Sequence, residues 1–489
     1  MQRFESRKYH LTSKLVLLKA INDIYPEDEL TFKNSLNNGV YITINGKEHV
    51  SEEKLKKIEG RMNEIVLEGK DIKKSHFTSE YINKKNLENV RPDLRELLET
   101  TGIISFFMYE LDGYKSYFIE ELYDNTYYVD LFELYSYDEG FIFKTPKEIN
   151  GIIQIPPMID DRKLAKVYKE SSKWNDIMEV SCVGSLNRIN LEGDIVGLIR
   201  VNETLHDTKI TKIAQRILEE RDIKVITIAG PSSSGKTTFS NRLKLHLMAC
   251  EVKPLMISLD DYYVDRDFIP IDENGKKDFE TIKSLDIELL NRNLKDLMLG
   301  REVEVPKYDF SSGKRKVKGE IVKLSKENMI ILEGIHGLND SLIEGIAQNH
   351  IFKIYISCLT QLNIDSHNRI KTSVVRKMRR IVRDSISRNF DAEETLEMWD
   401  RVRKGESKNI FPYQENADVI FDTSLAYEIG VLKPAVEREL IKIKISSPHY
   451  EEARRLLRML SYFTTISERY VPDESILKEF IGGSYFYNY

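Results

Sequence analysis

Val225-Ile-Thr-Ile-Ala-Gly-Pro-Ser-Ser-Ser-Gly-Lys-Thr-Thr238 reads as a buried apolar strand, a glycine-rich turn and the start of a helix. Gly230, Gly235, Lys236 and Thr237 meet the pattern G-x-x-x-x-G-K-[ST]. In such a loop the backbone N–H groups form a concave nest for phosphate oxygens, and the following helix adds its positive dipole end. The residues expected to line a nucleotide are Gly230, Pro231, Ser232, Ser233, Ser234, Gly235, Lys236, Thr237 and Thr238. Lys236 is placed to reach the β- and γ-phosphates of ATP, and the Thr237 hydroxyl to ligate Mg²⁺. Phe239, Leu243 and Leu247 carry the apolar face of the helix that follows.

Outward from this loop the chain alternates strands and helices. Strands are expected at 224–229, 255–259, 329–333, 351–356 and 418–421, a spacing that predicts a parallel sheet with right-handed crossovers. Ligands collect at the carboxyl ends of such strands. Met329-Ile-Ile-Leu-Glu333 ends there in an acid suited to Mg²⁺. The strand Ile257-Ser-Leu ends in Asp260-Asp261, and Asp260 is the first choice of general base for an acceptor hydroxyl, with Asp261 its rival. The basic run Arg376 to Arg388 sets Arg376, Arg380 and Arg383 near one helical face, where a lid could neutralise a transferring phosphoryl group. The same run also fits a salt-bridged face.

The flanks are different in character. Residues 8–24 show a helical apolar face, Gly39–Gly46 a strand closed by an Asn-Gly turn, and Ser51 a capped helix start. Ile103–Phe143 reads as antiparallel strands, 160–222 as mostly helical, and Glu451–Thr465 as a late helix. The aromatic end, Phe480 to Tyr489, is expected to pack on the body. With 489 residues and 41% hydrophobic content, roughly two or three domains are expected. A net charge of −6 gives no global pull towards nucleic acid or anionic membrane. Three scattered cysteines, Cys182, Cys250 and Cys358, fit a reducing cytoplasm, and neither a signal peptide nor a membrane span is legible.

The stretch 223–425 resembles the uridine kinase and phosphoribulokinase group. The matching pieces are Gly230–Thr237, Asp260-Asp-Tyr-Tyr, Pro306-Lys-Tyr308-Asp-Phe310, Glu333-Gly-Ile, Arg379–Asp384 and Ala417-Asp-Val-Ile420. The resemblance implies an α/β P-loop kinase with a parallel sheet and helical lid, using ATP and Mg²⁺. It implies Asp260 as base, Lys236, Arg380 and Arg383 as phosphate-facing catalytic groups, Thr237 and Glu333 as metal residues, and Glu280, Tyr308 and Phe310 around the acceptor. The chain departs from that group in three places. Ser311-Ser-Gly-Lys follows the Tyr-Asp-Phe motif with no histidine, Met398 or Trp399 stands where a glutamine is expected, and the ribose acid is Glu280 rather than an aspartate.

Glu333-Gly-Ile-His336-Gly-Leu-Asn339 and Thr360–Arg369 look like a narrower bacterial set of uridine kinase-like proteins, fused to a region similar to a threonyl-tRNA synthetase editing module. This adds His336, with Asn339, Asp365, His367 and Asn368, as candidates for a different acceptor pocket or, equally, for a structural hydrogen-bond network. It implies a degenerate editing-like α+β domain at 1–158 without a TGS part, a helical bridge at 159–222, the kinase at 223–426 and a helical extension at 427–489. Editing chemistry is expected to be lost, because His10 is followed by Lys14 rather than a second histidine and Cys182 by Leu186. The resulting expectation is a cytoplasmic kinase acting on a nucleoside or sugar hydroxyl, with no membrane partner, scope for a homo-oligomer and RNA contact through the first domain. The competing reading is an RNA-associated regulatory protein that uses the P-loop as a switch.

Overall fold

The computed structural model describes residues 4–45, 49–78, 90–103, 105–149, 151–220, 222–272, 275–310, 312–325, 328–360 and 362–487. Gly46 of the expected turn, Ser311, Asn488 and Tyr489 lie outside them. The chain forms two compact units, neither contiguous in sequence.

The first unit gathers Met1–Ile195, Thr360–Lys371 and Tyr450–Ile466. Its elements are α1 (Ser6–Ile24), β1 (Leu30–Leu36), β2 (Gly39–Ile44), α2 (Glu52–Glu68), β3 (Lys73–Thr78), α3 (Pro92–Glu99), β4 (Ser105–Leu111), β5 (Tyr114–Tyr117), β6 (Glu133–Tyr137), β7 (Gly140–Lys144), β8 (Lys147–Ile149), β9 (Ile152–Gln154), α4 (Arg162–Ile177) and α5 (Val183–Glu192). An antiparallel sheet runs β1-β2-β7-β6, and a second runs β3-β4-β5. Asn37 and Asn38, both at positive φ, make the two-residue turn between β1 and β2. Ser51 Oγ accepts the Lys54 N–H at 3.2 Å, so α2 starts where its capping residue sets it. Helices α1 and α2 bury Leu15, Val16, Leu18, Leu55, Ile58 and Met62 in one core with Phe32, Ile42 and Phe143.

His10 and Lys14 both sit in this unit's packing. His10 Nδ1 lies 3.1 Å from Thr145 Oγ1, and Lys14 is buried with its ammonium 4.2 Å from the Phe32 ring centroid. Cys182 and Leu186 are core residues of the same unit. The late helix is shorter than its sequence suggests. It ends at Leu460, because Asn187 Oδ1 accepts the Thr464 N–H at 2.9 Å and pulls the following chain off the helical path.

The second unit holds Val196–Leu359, Thr372–His449 and Ser467–Tyr489. Helix α6 (Ile195–Glu219) leads into β10 (Val225–Ala229), α7 (Lys236–Ala249), β11 (Leu255–Ser258), α8 (Ile287–Met298), β12 (Glu302–Val305), β13 (Tyr308–Asp309), β14 (Lys314–Arg315), β15 (Glu320–Lys323), β16 (Ile330–Glu333), β17 (Ile351–Ser357), α9 (Thr372–Ser387), α10 (Ala392–Asn409), β18 (Val419–Asp422) and α11 (Glu428–Ile441). Strands β11-β16-β10-β17-β18 form one parallel sheet, as the spacing predicts. β10 is central and wholly buried, with Ile226 opposite Ile331 on one side and Phe352 on the other. A parallel sheet covered on both faces needs such continuous apolar strands. It delivers the loop after β10 to the middle of the sheet's carboxyl edge. In the remaining segments α12 (Tyr450–Leu460) belongs to the first unit and α13 (Lys478–Ile481) to the second.

Candidate active site at the carboxyl edge of the parallel sheet

The loop after β10 is held by its own backbone demands. A Cβ at residue 230 would lie 2.0 Å from the Ile356 carbonyl oxygen, so only glycine lets the chain turn against β17 there. Ser233 (φ 57°) and Gly235 (φ 86°) take left-handed conformations that curl the loop's N–H groups inward. Helix α7 starts at Lys236, and Phe239, Leu243 and Leu247 are fully buried beneath it. Lys236 Nζ donates to the Pro231 carbonyl at 3.2 Å, bridging its own loop. The Ser233 and Ser234 hydroxyls are buried without a hydrogen-bond partner among the described residues.

The two aspartates after β11 have different tasks. Asp261 pairs with Lys307 at 2.8 Å and accepts the Tyr308 N–H at 3.3 Å, so it clamps the segment carrying the aromatic wall. Asp260 is the solvent-facing member. The protein crowding it raises its pKa, and the Lys236, Arg388 and Arg383 charges pull it back down. Its solvent exposure moderates the upward push. Lys236 also acts on Glu333, half-buried at the end of β16, whose carboxyl is pushed up to about 7 by burial and by Asp260 and Glu479. Lys236 thus faces two carboxylates that repel each other, and a further positive charge between them would relieve both.

Glu280 is half-buried and pushed up to about 7, first by burial and then by Glu406, with Arg380 and Lys236 opposing. Its stem lies against Gly405, where a Cβ would come within 2.5 Å of Glu280 Cβ and Cγ. Tyr308, Phe310 and Tyr263 pack edge to face or tilted, with centroids 5.0 to 5.9 Å apart. Phe310 stays 53% exposed, and the buried Tyr308 hydroxyl has no partner among the described residues. His336, on the loop after β16, is 2% exposed, and neither ring nitrogen has a hydrogen bond among the described residues. Burial lowers its pKa to about 4, against the opposing effect of the Thr281 backbone, so its imidazole is neutral at pH 7. Two buried polar groups without partners are a cost unless something else satisfies them.

The basic run is a buried helix rather than a solvated face. Arg376 Nη1 and Nη2 reach both Glu406 oxygens at 2.5 and 2.8 Å, and Nη1 also donates to the Ser232 carbonyl at 2.9 Å. Arg379 is fully buried and pairs with Glu428 at 2.6 Å. Arg380 binds Asp384 at 3.1 Å and donates to Ser232 Oγ at 3.0 Å, while Arg383 contacts Asp384 at 3.5 Å. Arg376 and Arg379 are therefore structural arginines, and Arg380, Arg383 and Arg388 are the ones whose charges reach Glu280 and Asp260. Sequence reasoning missed Glu406, which accepts the Ser232 N–H at 3.1 Å, and Glu479, which accepts from Thr238. Both arrive from distant parts of the chain with no local motif. Among the described residues no cluster of three or more metal-ligating side chains is found.

A profile of the Phosphoribulokinase / Uridine kinase family matches residues 225–429. A uridine kinase of Macrococcus caseolyticus is 32% identical over 214 residues, which are 43% of this chain and 94% of the relative. A uridine kinase of Staphylococcus epidermidis is 30% identical over 208 residues, 42% of this chain and 91% of the relative. Among solved structures, a possible uridine kinase from Bacillus stearothermophilus is 21% identical, with 44% of this chain and 98% of that chain covered and a TM-score of 0.31. The matched segment contains the P-loop, both aspartates, Glu280, Tyr308, Glu333 and the arginine helix, and on this ground the chain belongs to the Phosphoribulokinase / Uridine kinase family.

Proposed function

We propose that the chain is an ATP-dependent kinase that transfers the γ-phosphoryl group to a hydroxyl of a nucleoside or a related sugar. The observation that carries this reading is Asp260. It is a water-accessible carboxylate one strand-crossover from the P-loop, within reach of the Lys236 charge and free of the structural task that Asp261 performs. A nucleotide switch has no use for such a group; a kinase needs it to accept the acceptor's proton.

The loop residues fit a triphosphate. Positive φ at Ser233 and Gly235 and the partnerless serine hydroxyls form a cradle of donors, and Lys236 can exchange the Pro231 carbonyl for phosphate oxygens. Thr237 and Glu333 would hold Mg²⁺, which when bound neutralises charge on the phosphates. Arg380 and Arg383 supply fixed positive charge beside the transferred group. Glu280 orients the acceptor by accepting from its hydroxyls, with Tyr308 and Phe310 as its wall and His336 as a neutral hydrogen-bonding partner. The first unit is read as a scaffold of synthetase-editing descent that carries no hydrolytic pair, since Lys14 and Leu186 stand where such a pair would need histidines.

The test is ATP turnover by the full chain against a panel of nucleosides and sugars, with a tRNA titration in parallel. A hydroxyl acceptor that raises ADP formation, and loses that effect in Asp260→Asn, is the expected result. ADP formation stimulated by tRNA and by no hydroxyl acceptor would overturn the kinase reading.

A further inference from the structure

The donors of a P-loop are built to receive phosphate oxygens, yet one end of this loop is already filled by the chain itself. Thr238 is the third residue of α7, so its N–H has no partner inside the helix. It donates to Glu479 Oε2 at 3.2 Å, and the Thr238 hydroxyl donates to the same oxygen at 2.9 Å. A carboxylate there sits at the positive end of the helix dipole, where the loop's donors would otherwise cradle phosphate. The carboxylate does not stand alone. A Cβ on Gly235 would come within 2.5 Å of Ile476 Cγ2, so the same segment presses on the loop backbone. The Tyr487 hydroxyl lies 3.5 Å from both Thr238 Oγ1 and Asn241 Nδ2.

The segment is anchored at both sides of the contact. Ser475 Oγ donates to Glu203 Oε1 at 2.6 Å, and the Phe480 ring lies 5.0 Å from the Arg379 guanidinium. Ile476, Leu477 and Phe480 are buried, so the contact is part of the unit's packing rather than a brush at the surface. Directly after α13 come Gly482 (φ 86°) and Gly483 (φ 69°), two residues without side chains on which the stretch carrying Tyr487 can pivot. An anion in the phosphate position, a buried anchor on each side and a glycine pair are the parts of a competitor tethered to its own site.

We propose that residues 475–487 form an intramolecular plug of the P-loop, in which the Glu479 carboxylate stands in for a nucleotide phosphate and must leave before ATP can bind. The inference rests on the P-loop being the ATP site. Because the plug and the triphosphate compete for the same donors, the apparent affinity for ATP is the intrinsic one reduced by the fraction of molecules with the plug out. The tether keeps the carboxylate close, so it returns when the nucleotide leaves. The competing structural role, a helix cap and nothing more, makes the opposite prediction, since removing a cap weakens the helix that holds the phosphates.

The experiment uses the full chain, with MgATP as the probe, in calorimetric titrations of the wild type, Glu479→Gln, Glu479→Ala and Lys236→Ala. The Kd for MgATP is expected to fall roughly tenfold or more in Glu479→Ala, with a smaller fall in Glu479→Gln, which keeps an acceptor oxygen without the charge. In the wild type, MgATP is expected to raise amide hydrogen exchange in peptides covering 475–487 while protecting 230–238. An unchanged or weaker affinity in both Glu479 variants, with a lowered melting temperature, would make Glu479 a cap and overturn the plug, while loss of binding in Lys236→Ala would leave the ATP site standing. If no protein in the set binds MgATP, the ATP-site reading falls and the plug falls with it.

Discussion

Glu280→Gln separates an acceptor-binding acid from an ordinary buried side chain, and its size can be worked out from the surroundings. The carboxyl is pushed from its usual 4.5 to about 7, chiefly by burial, with Glu406 adding to the push. A folded-state pKa above the unfolded one means the native protein binds more protons between those two values. Stability is then greatest below pH 4.5 and is lost as pH rises through about 7. The full shift corresponds to about 3 kcal/mol at 1.36 kcal/mol per unit, and water reaching part of the side chain makes about 1–2 kcal/mol the expected loss. Glutamine has no proton to lose, so the variant should not show this decline. The assay is urea unfolding of wild type and variant between pH 5 and pH 8, followed by the transition of the unit that contains the P-loop. The variant's advantage should grow across that range and level off above about pH 7, while its KM for the acceptor rises. Parallel stability curves for the two proteins would refute the placement of an unneutralised acid at this position.

Asp260→Asn should lower kcat by about 10²- to 10⁴-fold, the usual worth of a general base, while MgATP still binds. Lys236→Ala should lose binding and turnover together, and radiometric ATP assays with equilibrium binding distinguish the two. Gly405→Ala drives a methyl to within 2.5 Å of the Glu280 stem, so the acceptor KM should rise with little change in the Kd for ATP. Arg379→Met leaves Glu428 buried and unpaired, and should cost about 3–5 kcal/mol, read as a lowered melting temperature by differential scanning calorimetry.

The parallel sheet was legible because each of its strands is a short apolar run bounded by polar residues, and the P-loop fixed which of them is central. Ser51 and the Tyr-rich antiparallel strands were legible for the same local reasons. What escaped was long-range. Whether Asp260 or Asp261 faces the cleft depends on Lys307, forty-six positions away and in no motif with them. That Arg376 and Arg379 are buried depends on Glu406 and Glu428, which a helical wheel drawn on α9 alone does not contain. The aromatic end reads as something that packs. That it brings a carboxylate to Thr238 is written in neither segment alone.

The interleaving of the two units bears on how this protein is made. The first unit lacks its last described segment until residue 466 has been synthesised, and the second lacks Ser467–Tyr489 until those residues follow. A nascent chain that has already produced β10 through β18 therefore waits for both cores to close. A premature stop between Ser467 and Ser475 would leave the P-loop unit without Ile476, Leu477 and Phe480 of its core.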